Sequence, residues 1–278
     1  MSPISRGARE RGFTLTEIAI VFMIVALLIG GAVLTFTAQT EAREIADTQR
    51  TLDQAREAII GFALRNGRLP CPAPLGGAIA VERFCVEPAA NGAPPPPACT
   101  FTFAVPAHGR CSNPDGVVPA ATLGIGPTNV NGLLIDAWLQ PIRYRVTEVD
   151  APAPSPANTK LFTATGEMRR HLLTTPPVVP DLLVCTTNAG AGPAWPPGPP
   201  ACGAGPGFQT PAVVFSTGKN ASVAGVGTDE MENGNGDRIF VARSPTPFEA
   251  APAAGFDDLV IWVSPNILYN RLIAAGAL

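Results

Sequence analysis

Two hydrophobic patterns follow one another in the N-terminal part of the chain. Residues 18–40 carry no charged side chain, and this length is enough for a helix to cross a bilayer, which takes roughly 20 residues. After residue 40, positions suited to burial recur at steps of three and four, which predicts an amphipathic helix. They are Ile45, Thr48, Leu52, Ala55, Ile59 and Phe62. We therefore expect a single helix over residues 13–66, which Asn66-Gly67 ends and Pro70 prevents from continuing.

The rest of the chain, residues 67–278, has the pattern of an α+β head. Most of the 31 prolines lie between Pro70 and Pro211, which excludes long helices there. Strand patterns occur at residues 142–149, 160–164, 212–216, 238–241 and 259–263. Ser264 before Pro265 predicts the start of a short helix that runs to about Ala275. The expected fold is a long N-terminal helix packed on a small antiparallel sheet, with loop-rich insertions.

The charge and cysteine content are typical of an exported head. The net charge of -3 argues against a general nucleic-acid-binding surface. All six cysteines lie beyond the hydrophobic run, and an even number there predicts disulfides formed in an oxidising compartment, with reduced buried thiols as the alternative. Because closing a short loop has the smaller entropic cost, we expect local pairing. The predicted pairs are Cys71–Cys85, Cys99–Cys111 and Cys185–Cys202.

The border between the basic N-terminus and the hydrophobic run contains one acidic residue. Three arginines precede Gly12, and this asymmetry is expected to keep the N-terminus cytoplasmic while the head crosses the membrane. Glu17 places a carboxylate in an otherwise apolar helix, where a charge is costly and needs a partner. If the chain is cut after Gly12, the free ammonium group of Phe13 on a neighbouring subunit would be a suitable partner.

These residues resemble the class III signal of type IV pilins and type II secretion pseudopilins. In that family a prepilin peptidase cuts after the glycine and N-methylates the next residue. The resemblance assigns cleavage to Gly12, methylation to Phe13 and filament assembly to Glu17. It divides the chain into a leader (1–12), a transmembrane half-helix (13–40), an amphipathic half-helix (41–66) and a periplasmic head (67–278). An ordinary signal peptide, with a shorter apolar core and a small-residue cleavage site, fits less well.

The resemblance implies a structural subunit of a type II secretion pseudopilus or a type IV pilus, without catalysis. The expected partners are prepilin peptidase, other pilin or pseudopilin subunits and inner-membrane lipid, and no nucleic acid is indicated. The head is large, and Ala26 and Leu34 stand where many major subunits have glycine and proline, which favours a minor subunit. The alternative is a single-pass, membrane-anchored periplasmic enzyme or ligand-binding module.

Two stretches of the head also resemble pseudopilin sequences. Residues 136–144, Asp-Ala-Trp-Leu-Gln-Pro-Ile-Arg-Tyr, are similar to a stretch before the first strand, with Leu139 in place of the usual glycine. Residues 215–220, Phe-Ser-Thr-Gly-Lys-Asn, are similar to a turn after a later strand. The sequence contains no catalytic signature. The two histidines, His108 and His171, are isolated in the sequence, and we expect both on the surface.

One segment concentrates oxygen ligands. Residues 229–237 hold four carboxylates and two side-chain amides in a glycine-rich stretch, which suits calcium. The candidate ligands are Asp229, Glu232, Asn233, Asn235 and Asp237. A structural subunit requires no cofactor, and two interpretations stay open here, a structural calcium ion and a solvated acidic loop. If calcium binds, it should raise the melting temperature of the head, and Asp237→Ala should abolish the gain.

Overall fold

The structure is a computed structural model that describes residues 14–76, 80–83, 109–156, 158–171, 178–188, 201–203, 206–221, 227–246 and 255–276. Side chains are described throughout these ranges except at residues 29–38. The predictions for Gly12, Phe13, Cys85, Cys99 and His108 lie outside the described residues. The chain divides into two compact units, Met1–Ala46 and Asp47–Leu278, which are described separately.

The prediction of a long N-terminal helix is confirmed. Helix α1 spans Leu15–Asn66. Its C-terminal end has the expected features, because the Asn66 side-chain amide donates to the Phe62 carbonyl oxygen at 2.8 Å and Gly67 follows with a left-handed φ of 65°. Within the second unit, the predicted stripe is buried. Its buried members there are Thr48, Leu52, Ala55, Ile59 and Phe62.

The head is α+β, as expected, but it contains two sheets rather than one. The first sheet is formed by β1 (Asp115–Val117), β2 (Arg143–Val146), β5 (Ala212–Ser216) and β7 (Leu259–Val263), in this order and antiparallel throughout. The second is formed by β4 (Gly207–Thr210), β3 (Leu182–Cys185) and β6 (Ile239–Val241), with β3 and β6 parallel. Four short helices complete the described part of the head, namely α2 (Ala120–Leu123), α3 (Glu167–Arg170), α4 (Thr228–Gly234) and α5 (Pro265–Ala274).

The strand predictions are confirmed at β2, β5, β6 and β7, but the one at residues 160–164 is wrong. That segment forms turns, in which the Ala164 N–H donates to the Lys160 carbonyl oxygen at 3.1 Å. The Lys160 ammonium group is held by Asp150 at 2.6 Å and by the Glu148 carbonyl oxygen at 2.7 Å. The buried cation and its partners bend the segment back on itself, which a hydrophobic pattern alone does not indicate.

Both faces of the four-stranded sheet are covered. One face meets the second sheet in a hydrophobic cluster of Leu182, Val184, Val213, Phe215 and Phe240. Because side chains alternate along a strand, Val214 lies on the opposite face together with its cross-strand partner Tyr144. The Tyr144 hydroxyl donates to the carbonyl oxygen of Pro70 at 2.9 Å, just beyond the end of α1. The head is therefore layered, with the second sheet on one side and the segment that follows α1 on the other.

Two disulfides are described, and one of them corrects the sequence prediction. Cys185–Cys202 is the predicted local pair and is confirmed, with a Cα–Cα distance of 5.6 Å. Cys71 pairs with Cys111, 40 residues away in the sequence. The predicted pairs Cys71–Cys85 and Cys99–Cys111 are therefore wrong.

The backbone explains the longer disulfide. Ala73 and Val117 exchange two N–H···O hydrogen bonds of 2.9 Å, so the segment after α1 runs beside β1. The Arg83 N–H donates to the Pro72 carbonyl oxygen, and the Ser112 N–H donates to that of Arg83. These contacts place the segments around residues 71 and 111 side by side in the folded head, so proximity in the fold outweighs the entropic advantage of a short loop.

Candidate functional site

The start of α1 contains a reciprocal capping arrangement. The Glu17 N–H donates to Thr14 Oγ1 at 3.3 Å. In return, the Thr14 N–H and hydroxyl donate to Oε2 of Glu17 at 2.9 and 2.8 Å. This is a capping box, which satisfies N–H groups that have no partner inside the helix. The Thr-x-x-Glu spacing of residues 14–17 indicates this role, which was not among the sequence predictions.

The capping box occupies only one oxygen of the Glu17 carboxylate. Its hydrogen bonds to Thr14 end on Oε2. Within the part of the chain that the structure describes, no hydrogen bond to Oε1 is found, and the side chain is exposed. A carboxylate in this arrangement can therefore hold the helix start with one oxygen and accept a further donor, such as an ammonium group, with the other.

The first unit exposes a long series of apolar side chains. Large apolar residues between Leu15 and Leu28 are 42–86% exposed. A contiguous apolar surface of this kind needs a cover, and neighbouring helices or lipid can supply it. Among the described residues, no helix of the structure is both long enough and apolar enough to cross a membrane.

The two stretches of the head that resemble pseudopilin sequences meet in space. Ser216 donates its hydroxyl to Oδ2 of Asp136, and both side chains are buried. Oδ1 of Asp136 accepts the N–H groups of Trp138 and Gln140 at 2.9 and 2.8 Å, which fixes the turn over residues 136–140. Burial raises the pKa of Asp136, although its hydrogen bonds act in the opposite direction. The turn also contacts α1, because the Ala137 N–H donates to Thr48 Oγ1 at 3.1 Å.

The predicted calcium ligands have separate partners in the structure. Most of the segment forms α4 rather than an open loop. Asp229 pairs with Arg243, with Oδ2 and Nε 2.7 Å apart, while Asn235 donates to Asp237 in the turn after α4. Burial and then the negative charge of Asp237 raise the pKa of Glu232. The binding of calcium stays a prediction, and these contacts give its candidate residues structural roles.

Asn233 joins a different group of carboxylates, which we call the acidic cluster: Glu230, Asp257 and Asp258. One oxygen of each carboxylate lies within 4.8 Å of the others, close enough to share a metal ion. The Asn233 amide donates to Asp258 Oδ2 at 2.7 Å, and the Asp257 N–H donates to Glu230 Oε1 at 2.7 Å. Sequence reasoning missed this group because the chain returns to α4 only after β6 and a further segment.

Burial and mutual repulsion govern the charge of the acidic cluster. Burial, followed by hydrogen bonding and charge from Glu230, raises the pKa of Asp257 to about 6. Burial raises the pKa of Asp258 to about 8, with Glu230 and Asp257 acting in the same direction and the Asn233 amide opposing them. At neutral pH the cluster therefore retains a proton, or it takes up a cation that compensates the repulsion.

The prediction that His171 lies on the surface is wrong, because its side chain is buried. Its Nε2 lies 2.7 Å from Ser155 Oγ and 3.3 Å from Glu167 Oε2, and the serine hydroxyl also donates to that carboxylate. In a nucleophilic triad the base contacts the nucleophile and the carboxylate through different ring nitrogens. Here both partners meet the same nitrogen, so we interpret the group as a structural contact between the loop at residue 155 and α3.

The comparison with protein families identifies the N-terminal signal. Residues 7–33 match the family model of the prokaryotic N-terminal methylation motif, which is the prepilin-type signal of type IV pilins and pseudopilins. This match covers the N-terminal signal alone. It supports a pilin-like precursor, and the signal implies processing by prepilin peptidase, membrane anchoring and assembly with other pilins. No match to the chain was found among curated proteins or solved structures.

Proposed function

We propose that this chain is a minor structural subunit of a type II secretion pseudopilus or a type IV pilus. Residues 13–40 anchor it in the inner membrane by a single pass, and the head lies in the periplasm. The observation that supports this best is the methylation motif at residues 7–33, which leads directly into a capped helix with exposed apolar side chains. The protein acts through packing against other subunits, without a catalytic reaction or a required cofactor.

In this proposal, Glu17 selects the position at which a subunit enters the filament. Cleavage after Gly12 gives Phe13 a free ammonium group, which binds Oε1 of Glu17 on the neighbouring subunit. The capping box holds the carboxylate in place through Oε2 before the partner arrives. Two opposite charges in an apolar surrounding attract strongly, and a charge left there alone is costly. The pair therefore favours one register, while the packing of apolar helices supplies most of the assembly energy.

The proposal of a minor subunit rests on the size and construction of the head. The second unit, Asp47–Leu278, contains two sheets and at least two disulfides within its described residues. Such a head is larger than a filament built from one repeated small subunit needs. Ala26 and Leu34 add the second argument, since they lack the helix-loosening glycine and proline of many major subunits.

We predict that the mature protein begins at an N-methylated Phe13. The expected intact mass is that of residues 13–278 plus one methyl group on the amine, because a prepilin peptidase performs both steps. N-terminal peptide analysis of the membrane form checks this. A Gly12→Leu variant, in which the cleavage site is blocked, is the control and should keep the precursor mass. A chain that still starts at Met1, or one cut near Ala38, would overturn the proposed function.

We further propose that any calcium in the head binds beside α4, either at the predicted ligands or at the acidic cluster, and has a structural role. Millimolar calcium should then raise the melting temperature of the detergent-solubilised protein, because a ligand that binds only the folded state stabilises it. Asp237→Ala and Asp257→Asn divide the two sets of ligands. If Asp237→Ala abolishes the calcium-induced rise in melting temperature, calcium binds at residues 229–237. If Asp257→Asn abolishes it, calcium binds at the acidic cluster. Equal melting curves in calcium and in chelator would contradict calcium binding.

A further inference from the structure

Pairs of asparagine followed by glycine are chemically labile, and the chain contains five of them, which begin at residues 66, 91, 131, 233 and 235. The backbone nitrogen of the glycine can attack the side-chain carbonyl carbon of the asparagine, because glycine has no Cβ to obstruct the approach. Ammonia leaves, and water then opens the cyclic imide. The attacking nitrogen has to turn toward the side chain, so the fold decides which pairs react. Residue 91 lies outside the described residues.

Three of the four described pairs are restrained by the fold. The Gly67 N–H donates to the Ala63 carbonyl oxygen at 2.8 Å, and the Gly132 N–H donates to that of Asn129 at 2.9 Å. The third pair, residues 233–234, ends α4, and its asparagine side chain is buried with both amide atoms in hydrogen bonds. Each of these pairs has to break such contacts before its glycine nitrogen can attack.

The fourth pair lies in the turn after α4, where the glycine nitrogen is unrestrained. Asn235 is exposed, and no hydrogen bond from the Gly236 N–H is found within the described part of the chain. The Asn235 N–H lies 3.4 Å from the Glu232 carbonyl oxygen, which is long for a hydrogen bond, so the backbone can rotate here. The Asp237 N–H donates to Oδ1 of Asn235 at 2.8 Å. A donor at this oxygen stabilises the negative charge that develops there during attack.

We propose that Asn235 is a deamidation site, at which the folded head converts a neutral amide into a carboxylate. The Gly236 nitrogen loses its proton and forms a bond to Cγ of Asn235. The bond from Cγ to Nδ2 breaks, and the departing nitrogen takes up the proton and leaves as ammonia. Water then hydrolyses the imide at either of its two carbonyl groups, so both aspartate and isoaspartate form. The reaction is independent of assembly into a filament and goes beyond the proposed function.

The two products act differently on the turn. Nδ2 of Asn235 donates to Oδ2 of Asp237 at 3.1 Å, and an aspartate loses this donor and places a second negative charge beside that carboxylate. Isoaspartate also lengthens the backbone by one carbon before Gly236. The Gly236 carbonyl oxygen accepts a hydrogen bond of 2.7 Å from Nη1 of the buried Arg145. Displacing that oxygen removes a partner from a buried guanidinium group, so isoaspartate weakens the attachment of the turn to β2.

Incubation of the full-length, detergent-solubilised protein in water labelled with heavy oxygen tests the site. The opened imide takes its new oxygen from the solvent, so label marks only deamidation that occurs during the incubation. Digestion in ordinary water after Lys219 and Arg238 then releases residues 220–238, a peptide that contains both Asn233 and Asn235. We expect residue 235 to be labelled roughly fivefold or more faster than residues 131 and 233, because each protected pair must first break a hydrogen bond.

Unfolding and a side-chain variant provide the controls. In urea the fold no longer protects any pair, so residues 131, 233 and 235 should be labelled at similar rates. Asn235→Gln should take up no label at this position during the same incubation, because its longer side chain forms the ring far more slowly. Equal labelling of residues 131 and 235 in the folded protein, or labelling of residue 235 only in urea, would overturn the proposal.

The melting temperature separates the effects of the two products. Protein aged until residue 235 is converted should melt on the order of 5 °C lower, because its isoaspartate fraction loses a hydrogen bond to a charged group. Asn235→Asp carries the new charge on a normal backbone and should melt closer to the wild type. An aged protein that melts like Asn235→Asp would show that Arg145 keeps its contact, and the expected effect of isoaspartate would be wrong.

Discussion

Glu17→Gln is expected to be processed like the wild type but to enter filaments at least about tenfold less, which corresponds to roughly 1.4 kcal/mol. The substitution keeps a side-chain oxygen that can accept the Thr14 N–H, so the capping box survives. What it removes is the negative charge offered to the ammonium group of Phe13. Leaving that ammonium unpaired in an apolar filament core is the main cost, since breaking a buried pair typically costs roughly 3–5 kcal/mol.

Thr14→Ala provides the matched control, because it removes the cap and keeps the charge. Loss of a threonine cap costs about 1 kcal/mol of local helix stability. This variant should therefore assemble close to the wild-type level, provided that filament content is normalised to the amount of mature protein in the membrane. Glu17→Ala, which loses both functions, should assemble as poorly as Glu17→Gln.

The sheared filament fraction, quantified by immunoblot, decides between the two roles of Glu17. If Thr14→Ala fails to assemble as severely as Glu17→Gln, the carboxylate matters mainly as a helix cap. If all three variants assemble normally, the charge pair has no role in docking. Only the predicted order, with Thr14→Ala near wild type and both Glu17 variants low, supports the register function.

Local signals made the helical parts of the structure predictable from the sequence. The charge-free run and the stripe of buried positions lie within α1, and the Asn-Gly terminus lies directly at its end. The same holds for α5, which begins at Pro265 after Ser264 as expected. Helix signals of this kind need no knowledge of distant segments, because the periodicity and the caps are short-range.

The contacts that organise the head depend on segments far apart in the chain. The Cys71–Cys111 disulfide follows from the pairing of Ala73 with Val117, which no local pattern encodes. The acidic cluster combines Glu230 of α4 with Asp257 and Asp258. A search for oxygen ligands that lie close together in the sequence finds only Glu230 of these three. Strand β4 (Gly207–Thr210) is short and largely exposed, so it has little apolar signal in the sequence.

The free energy of unfolding of the head is expected to fall as the pH rises from about 4 to about 8 in the presence of chelator. In the folded protein the pKa of Asp258 is raised to about 8, while an unfolded chain releases this proton near pH 4. Between these values the folded state binds more protons than the unfolded state, so stability is full at the low end and is lost as the pH approaches 8. The pKa of Asp257, raised to about 6, adds to the slope over the lower part of the range.

Asp258→Asn should flatten this dependence by an amount on the order of 5 kcal/mol over that range, because a neutral amide has no proton to lose. The variant keeps an oxygen that can accept from the Asn233 amide, so the local packing has a partner. Asp47→Asn, which removes an exposed carboxylate on α1 outside the acidic cluster, is the control, and its profile should run parallel to that of the wild type. Urea unfolding of the detergent-solubilised protein at four pH values provides the measurement. Parallel profiles for Asp258→Asn and the wild type would show that Asp258 is ionised in the folded state, and the raised pKa would then be wrong.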